Sequence, residues 1–364
     1  MSATPRTLAD IDTPAAVIDL DLVRRNIETM ERHLEGTGVH VRPHIKHHKT
    51  PGIALMQIEA GAPGVTCAKV GEAEAMVEGG VGDVLIANQV VGPIKIARLC
   101  DLARQAQVTV AVDDARNVRD LSEAAVANDV TIGIVIEIEV GMNRCGVLPG
   151  DPALALAKQI DAAPGLDLVG LMGYEGHAVG IVDRAEREAA ARSSLAAVIE
   201  TKAACEAAGL EIREVTGGGT NTFDITSAID GWTELQCGTY VTMDVWFRPH
   251  AGHAFEQAMW ILSSVVSTPA PGRAILDVGR KSVAFEAGGL PLVEDPPGIE
   301  LLSLSEEHGS LALHDGAPDL QPGDRLRVTP WHGCTTFNLH DTVYVIQDDD
   351  VVDVWPISAR GKFT

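Results

Sequence analysis

The chain of 364 residues predicts an α/β fold: a (β/α)8 TIM-type barrel followed by a C-terminal all-β domain. Three observations carry that expectation. Eight short apolar runs alternate with alanine-rich helical segments between residues 39 and 240, the pattern of parallel βαβ units. Unusual polar residues come directly after those runs, and polar groups at the carboxyl ends of successive strands are how a barrel assembles one active site. After about residue 250 the helical periodicity fades, and strand-like runs alternate with Pro, Gly and Asp turns.

Taken in order, the runs are Val39–Val41, Gly64–Cys67, Asp83–Ala87, Val108–Val112, Thr131–Val140, Leu166–Met172, Arg213–Thr216 and Thr233–Gln236. Lys46 follows the first, Asn88 the third, Asp113 the fourth and Arg144 the fifth. Tyr174, Glu175 and His177 follow the sixth, and Gly217, Gly218, Gly219 and Thr220 the seventh. Gln236, Cys237 and Gly238 close the set. The expected barrel covers residues 15–248 and the β-domain 249–364, with residues 1–14 packing on the latter. Ala15–Asp19 is itself a candidate extra strand of the C-terminal domain.

The bulk numbers agree with a cytoplasmic enzyme. Hydrophobic content is 46%, ample for a barrel of about 250 residues plus a smaller domain. No apolar stretch reaches the roughly 18–20 residues that span a bilayer, and Met1–Arg6 has no apolar leader core. Six cysteines are scattered without paired spacing, which suits a reducing compartment. A formal charge of −23 lacks the basic footprint that nucleic acid requires.

Four motifs bear chemistry. His44-Ile45-Lys46-His47-His48-Lys49 places Lys46 at a strand end, where desolvation and neighbouring cations free an amine to form a Schiff base; the plain alternative is a basic surface loop. Arg144, in Gly141-Met142-Asn143-Arg144-Cys145-Gly146, suits an anion or a phenolate oxygen. The glycines at 217–219, with Thr220, leave backbone N–H groups to cradle a phosphate, or simply make a tight turn. His332 and Cys334, two apart and read as one face of a strand, suit Zn²⁺; a half-buried His and a core Cys would look the same. His340 and Asp341 are candidates to support that pair, His177 is a candidate base, and His308 is either a site-loop residue or a turn. Arg248 is a candidate for a second substrate carboxylate.

These residues resemble the D-threonine aldolase and D-serine dehydratase family of fold-type III, alanine-racemase-like pyridoxal phosphate enzymes. The matching segments are Asp12-Thr13-Pro14, Arg42–Lys46, Asn143–Val147, Gly217–Thr220, Glu234–Gly238, Asp277–Gly279, Glu307–Gly309 and Phe337–Asp341. The resemblance implies a homodimer that binds pyridoxal 5'-phosphate and a divalent metal, Zn or Mn. It implies that Lys46 is the Schiff-base lysine, Arg144 meets the cofactor's phenolic oxygen, Tyr174 lies near its ring, and Gly217–Thr220 hold its phosphate, with Gln236, Cys237 and Gly238 also counted as cofactor-binding. His332 and Cys334 are implied as the metal ligands. In two places the chain departs from the aldolase pattern. Aldolases carry His-x-Asp at the metal pair, where this chain has the dehydratase-like His-x-Cys. They also carry a basic histidine six residues after the tyrosine, where this chain has Gly180.

The expected activity is a lyase acting on D-3-hydroxy-amino acids. Retro-aldol cleavage to glycine and an aldehyde stands first, with His177 in the role of the base. Dehydration to a 2-oxo acid and ammonia, as for D-serine or D-3-hydroxyaspartate, is the alternative. An amino-acid racemase would need no metal. A non-catalytic cofactor carrier of similar barrel fold would lack the β-domain.

Overall fold

The computed structural model describes residues 5–286 and 289–364. The chain divides into two compact units. One, the barrel unit, comprises Met30–Lys46, Pro51–Gly238 and Gly361–Thr364; the strand-rich unit comprises the chain up to Thr29, His47–Thr50 and Thr239–Arg360. The units follow contacts rather than chain order, so residues 239–248 group with the C-terminal strands and not with the barrel.

The barrel unit holds eight parallel strands. They are β2 (His40–Val41), β3 (Val65–Cys67), β4 (Asp83–Gln89), β5 (Gln107–Val112), β6 (Ile132–Glu137), β7 (Leu166–Gly173), β8 (Glu214–Gly217) and β9 (Glu234–Leu235). Their order is β2-β9-β8-β7-β6-β5-β4-β3. The two ends of this sheet meet through a parallel bridge, His44 to Thr66, with Ile45 N donating to Thr66 O and Thr66 N to Pro43 O. Central strands read as unbroken apolar runs because both faces are covered. Leu85, Ala111, Val135 and Met172, one from each of β4 to β7, form an inner layer. Truncating Leu85 or Met172 to alanine costs about 2–5 kcal/mol. Helices between the strands start at side-chain caps where the sequence offers them: Asp114 accepts from Arg116 N, and Asp183 from Glu186 N.

The run expected over Thr131–Val140 is strand only to Glu137. Beyond it the chain turns back on itself, with Glu139 N donating to Val147 O and Val147 N to Glu137 O. Gly141 and Gly146, at φ 100° and 116°, permit that reversal.

In the strand-rich unit, β1 (Ala15–Asp19) pairs antiparallel with β10 (Met259–Ala270) and parallel with β15 (Thr342–Gln347). The N-terminal segment is therefore an extra strand of the C-terminal sheet. The remaining strands are β11 (Arg273–Leu276), β12 (Ile299–Leu304), β13 (Gly309–Leu313), β14 (Arg325–Val328) and β16 (Asp350–Pro356). They run in the order β12-β13-β11-β10-β1-β15-β16, with β14 also on β10. Ile11, Ala15, Val17, Leu262 and Ile346 form one core cluster. Of the expected packing by residues 1–14, residues 1–4 lie outside the described residues; Thr7 bridges Asp350, and Arg325 Nη1 donates to Ile11 O at 2.7 Å. Among the described residues no helix is long and apolar enough to cross a membrane. None of the six cysteines forms a disulfide.

Candidate active site

In the barrel unit, two of the expected residues converge on the ring of a third. Lys46 Nζ lies 5.6 Å from the Tyr174 ring centroid, and the Arg144 guanidinium carbon lies 5.5 Å from it. Both are cation–π distances. Lys46 leaves the end of β2, Arg144 the loop after β6, and Tyr174 the end of β7, so the carboxyl ends of three strands supply them. Lys46 is exposed while His44, His47, His48 and Lys49 are buried. A basic surface loop is therefore the wrong description of that motif.

Arg144 is steadied by Glu137, at 3.4 Å from Nη2 to Oε1. Gln89 Nε2 donates to the other oxygen of Glu137 at 2.6 Å and to Asp113 Oδ2 at 3.2 Å. Asp113 also accepts from Gly146 N at 2.9 Å, which fixes the loop that carries Arg144. Glu137 was not anticipated. Its signal was a carboxylate inside an otherwise apolar run.

The glycine loop needs Gly217 and Gly218. A Cβ on Gly217 would stand 1.8 Å from Gly173 O, and Gly218 has φ +78°. A Cβ on Gly219 would touch Tyr174 Cε2 at 3.4 Å, so the loop borders the same ring as Lys46 and Arg144. Thr220 is buried and opens a 3-10 turn, Thr220–Thr222. Gln236 Nε2 donates to Thr216 Oγ1 at 2.9 Å. Cys237 is fully buried, which pushes its thiol well above the usual range. Those two side chains serve the framework, so a role of Gln236–Gly238 toward a ligand falls to their backbone.

His177 is exposed and turned toward the helix Arg184–Ala207, with Nε2 3.0 Å from Ser194 Oγ. Ser194 in turn donates to Ala190 O at 2.8 Å. His177 Nε2 is therefore the N–H donor, and Nδ1 is its basic nitrogen. A Cβ on Gly180 would meet nothing within 4 Å.

In the strand-rich unit, His332 is the extended residue before the short helix Gly333–Phe337, and Cys334 lies within that helix. The expectation of a strand is corrected: a helix start, not alternation, brings the pair together. His332 Nδ1 meets Glu286 Oε1, and His47 Nδ1 lies 3.3 Å from Cys334 Sγ. His47 Nε2 is 2.6 Å from Thr242 Oγ1. Asp244 accepts from Gly333 N at 2.8 Å and from Phe247 N at 2.9 Å. A Cβ at Gly333 would stand 2.5 Å from His47 Cε1, so only glycine allows this approach. Burial pushes Asp244 up to about 6, against the Gly333 amide and His332. For His332 burial works against charge, but Cys334, Asp244 and Glu286 outweigh it and push the imidazole up to about 10. A histidine and a thiol held among carboxylates make a donor set for a soft-to-borderline divalent cation.

Glu286, Asp244 and His47 are thus the groups placed around the pair. His340 instead donates to Ser282 O at 2.8 Å, and Asp341 pairs with Arg360. Arg248 does not await a substrate carboxylate, since it forks onto Glu294. His308 is exposed. Elsewhere, His40, Glu214 and Glu234 stand close together, but at the amino ends of their strands. Glu234 Oε2 already accepts from Arg42 Nε at 2.7 Å and lies 2.9 Å from His40 Nε2, so this is an ion-pair network rather than a cation site.

Comparison with known proteins accords with this geometry. The family model for the alanine racemase N-terminal domain matches residues 18–245, and a serine dehydratase domain model matches residues 258–346. A D-threonine aldolase from Arthrobacter sp is 40% identical over 97% of this chain and 94% of its own length. The crystal structure of D-threonine aldolase from Filomicrobium marinum superposes with a TM-score of 0.95 at 39% identity, covering 100% of both chains. D-threo-3-hydroxyaspartate dehydratase from Delftia sp. HT23 matches at 0.87 and 30% identity, over 96% of this chain and 98% of that one. Solved variants of D-threo-3-hydroxyaspartate dehydratase replace by alanine a histidine and, two positions on, a cysteine; the cysteine variant is in a metal-free form. The chain belongs to the D-threonine aldolase and D-serine dehydratase family of alanine-racemase-like, pyridoxal phosphate-dependent enzymes.

Proposed function

We propose that this protein is a pyridoxal phosphate- and divalent-metal-dependent lyase that cleaves D-3-hydroxy-amino acids to glycine and an aldehyde. The observation that carries the reading is full-length likeness to D-threonine aldolases, together with the convergence of Lys46 and Arg144 on Tyr174. The residues fit the cofactor. An amine, a ring and a guanidinium border a backbone loop in which Gly217 and Gly218 cannot be replaced without a clash or strain. The donor set of His332 and Cys334 likewise fits a divalent ion, and its thiolate sulfur favours Zn²⁺ over Mn²⁺.

Lys46 would hold the cofactor through its Nζ, Arg144 its phenolic oxygen, Tyr174 its ring, and the Gly217–Thr220 loop its phosphate. Pyridoxal phosphate supplies an electron sink for a bond broken at the amino acid's α-carbon, and the metal supplies Lewis acidity toward a hydroxyl oxygen. His332 Nε2 and Cys334 Sγ would bind the ion, with Glu286 orienting the imidazole through Nδ1. His177 Nδ1 is the candidate to take the β-hydroxyl proton, because Ser194 occupies Nε2. Gln89 holds Glu137, Asp113 holds the Arg144 loop through Gly146 N, and Glu137 in turn keeps Arg144 beside Tyr174. A homodimer belongs to the same reading, and light scattering tests it.

One observation favours dehydration as a second reading. The His-x-Cys spacing of His332 and Cys334 matches the pair altered in the metal-free dehydratase work. In that case Lys46 Nζ would take the α-proton, and ammonia and a 2-oxo acid would result. Incubation with D-threonine, cofactor and metal, followed by product analysis, separates the two. Products of inverted configuration would support the racemase reading instead.

A further inference from the structure

Directly after Tyr174, the carboxyl group of Glu175 is completely buried. Its Oε1 accepts two hydroxyl hydrogen bonds, from Thr222 Oγ1 at 2.6 Å and Thr226 Oγ1 at 2.9 Å. Its Oε2 is buried without a hydrogen-bond partner. Thr222 Oγ1 also accepts from Gly219 N at 3.2 Å, and Thr222 N donates to Gly219 O at 3.0 Å. A continuous chain therefore runs from Glu175 through Thr222 into the glycine loop. Thr222 and Thr226 are fully buried too. Glu175, Thr222 and Thr226 have no part in the chemistry assigned above.

We propose that Glu175 is a positioning residue for phosphate binding, acting through the Thr222 and Thr226 hydroxyls to fix the Gly217–Thr220 loop. This rests on the cofactor reading of the preceding subsection. The carboxyl works as an acceptor at Oε1, and its second oxygen makes no pairing that requires charge. Burial pushes this carboxyl upward against the help of the two hydroxyls. A neutral acid is the form suited to the space behind an anion-binding loop, where a carboxylate would repel a phosphate. Glutamine keeps the acceptor oxygen without the charge. Leucine removes the acceptor and leaves two buried hydroxyls to find new partners.

The test uses the full chain stripped of cofactor, titrated separately with pyridoxal phosphate and with pyridoxal, which lacks the phosphate. Glu175→Leu is expected to weaken pyridoxal phosphate about tenfold, as the loss of such hydrogen bonds implies, while pyridoxal affinity stays unchanged. Glu175→Gln is expected to bind pyridoxal phosphate as the parent does. Thr222→Val, a near-isosteric change that removes only the relay hydroxyl, is expected to reproduce the leucine result if Glu175→Leu does not fold. Equal loss for both ligands would mean a general structural role and overturn the proposal, as would a glutamine variant as impaired as leucine. Failure of the parent itself to bind pyridoxal phosphate would overturn the cofactor reading, and this proposal with it.

Discussion

Lys46 and Arg144 flank a single ring in the barrel unit, beside a loop whose contribution is bare backbone. His332 and Cys334 in the strand-rich unit are packed among Asp244, Glu286 and His47 instead. The first arrangement puts an exposed amine beside an aromatic ring. The second concentrates carboxylates and a thiol around one imidazole, so that the imidazole holds its proton tightly. The barrel residues suit an organic cofactor with a phosphate; the strand-rich residues suit an ion. Two chemistries are thus prepared by two local electrostatic environments in one chain.

Removing the amine is the most severe way to break the first environment. Lys46→Ala is expected to lower turnover of D-threonine by about 10⁴-fold, the upper range for a group that moves protons, and to abolish the visible absorbance of bound cofactor. Turnover within tenfold of the parent would exclude Lys46. On the other side, Cys334→Ala is expected to cost roughly 10³-fold in activity, the several kcal/mol that a Lewis acid supplies. Metal analysis after dialysis should then find the variant empty and the parent loaded.

A smaller effect separates the base from the framework. His177→Ala is expected to lower the rate of aldehyde formation about 10²-fold with little change in KM. A matching loss in Ser194→Ala would instead indicate that orientation of the ring, not its proton affinity, is what counts. The Gly180 position is open to a side chain, so Gly180→His in the His177→Ala background should recover part of the loss.

How much of this the sequence could disclose differs between the units. Strand-end placement singled out Lys46, Arg144, Tyr174 and the glycine loop, because period and position report where a barrel presents side chains. The strand-rich pair was found by spacing, yet its local geometry was misread. Two residues at i and i+2 share a strand face, but here Gly333, pressed against His47, starts a helix. Asp244 and Glu286 were invisible, since an acid becomes informative only when its burial and partner are known. Arg248 was misassigned for the same reason: its partner, Glu294, is 46 residues away. The placement of β1 in the C-terminal sheet was legible as an unpaired apolar run, but the grouping of residues 239–248 was not.

The mildest prediction concerns protons. Without metal, His332 is held up to about 10, so a metal must displace its proton at any lower pH. Affinity for Zn²⁺ should therefore rise with pH, by about tenfold per unit for each proton displaced, and level off near the raised value. Competition with a chromophoric chelator measures it. Glu286→Gln should shift that plateau to lower pH, because one of the groups that raise the imidazole is gone. A pH-independent affinity would remove His332 from the ligand set.

Product analysis with D-threonine tests the central claim most directly. The purified protein, supplied with pyridoxal phosphate and Zn²⁺, is incubated with D-threonine, and amino acid, aldehyde, 2-oxo acid and ammonia are quantified against a chelated control. Glycine and acetaldehyde in equal amounts, lost on chelation, are the predicted result. Ammonia with 2-oxobutanoate, and no glycine, would contradict it and make the enzyme a dehydratase.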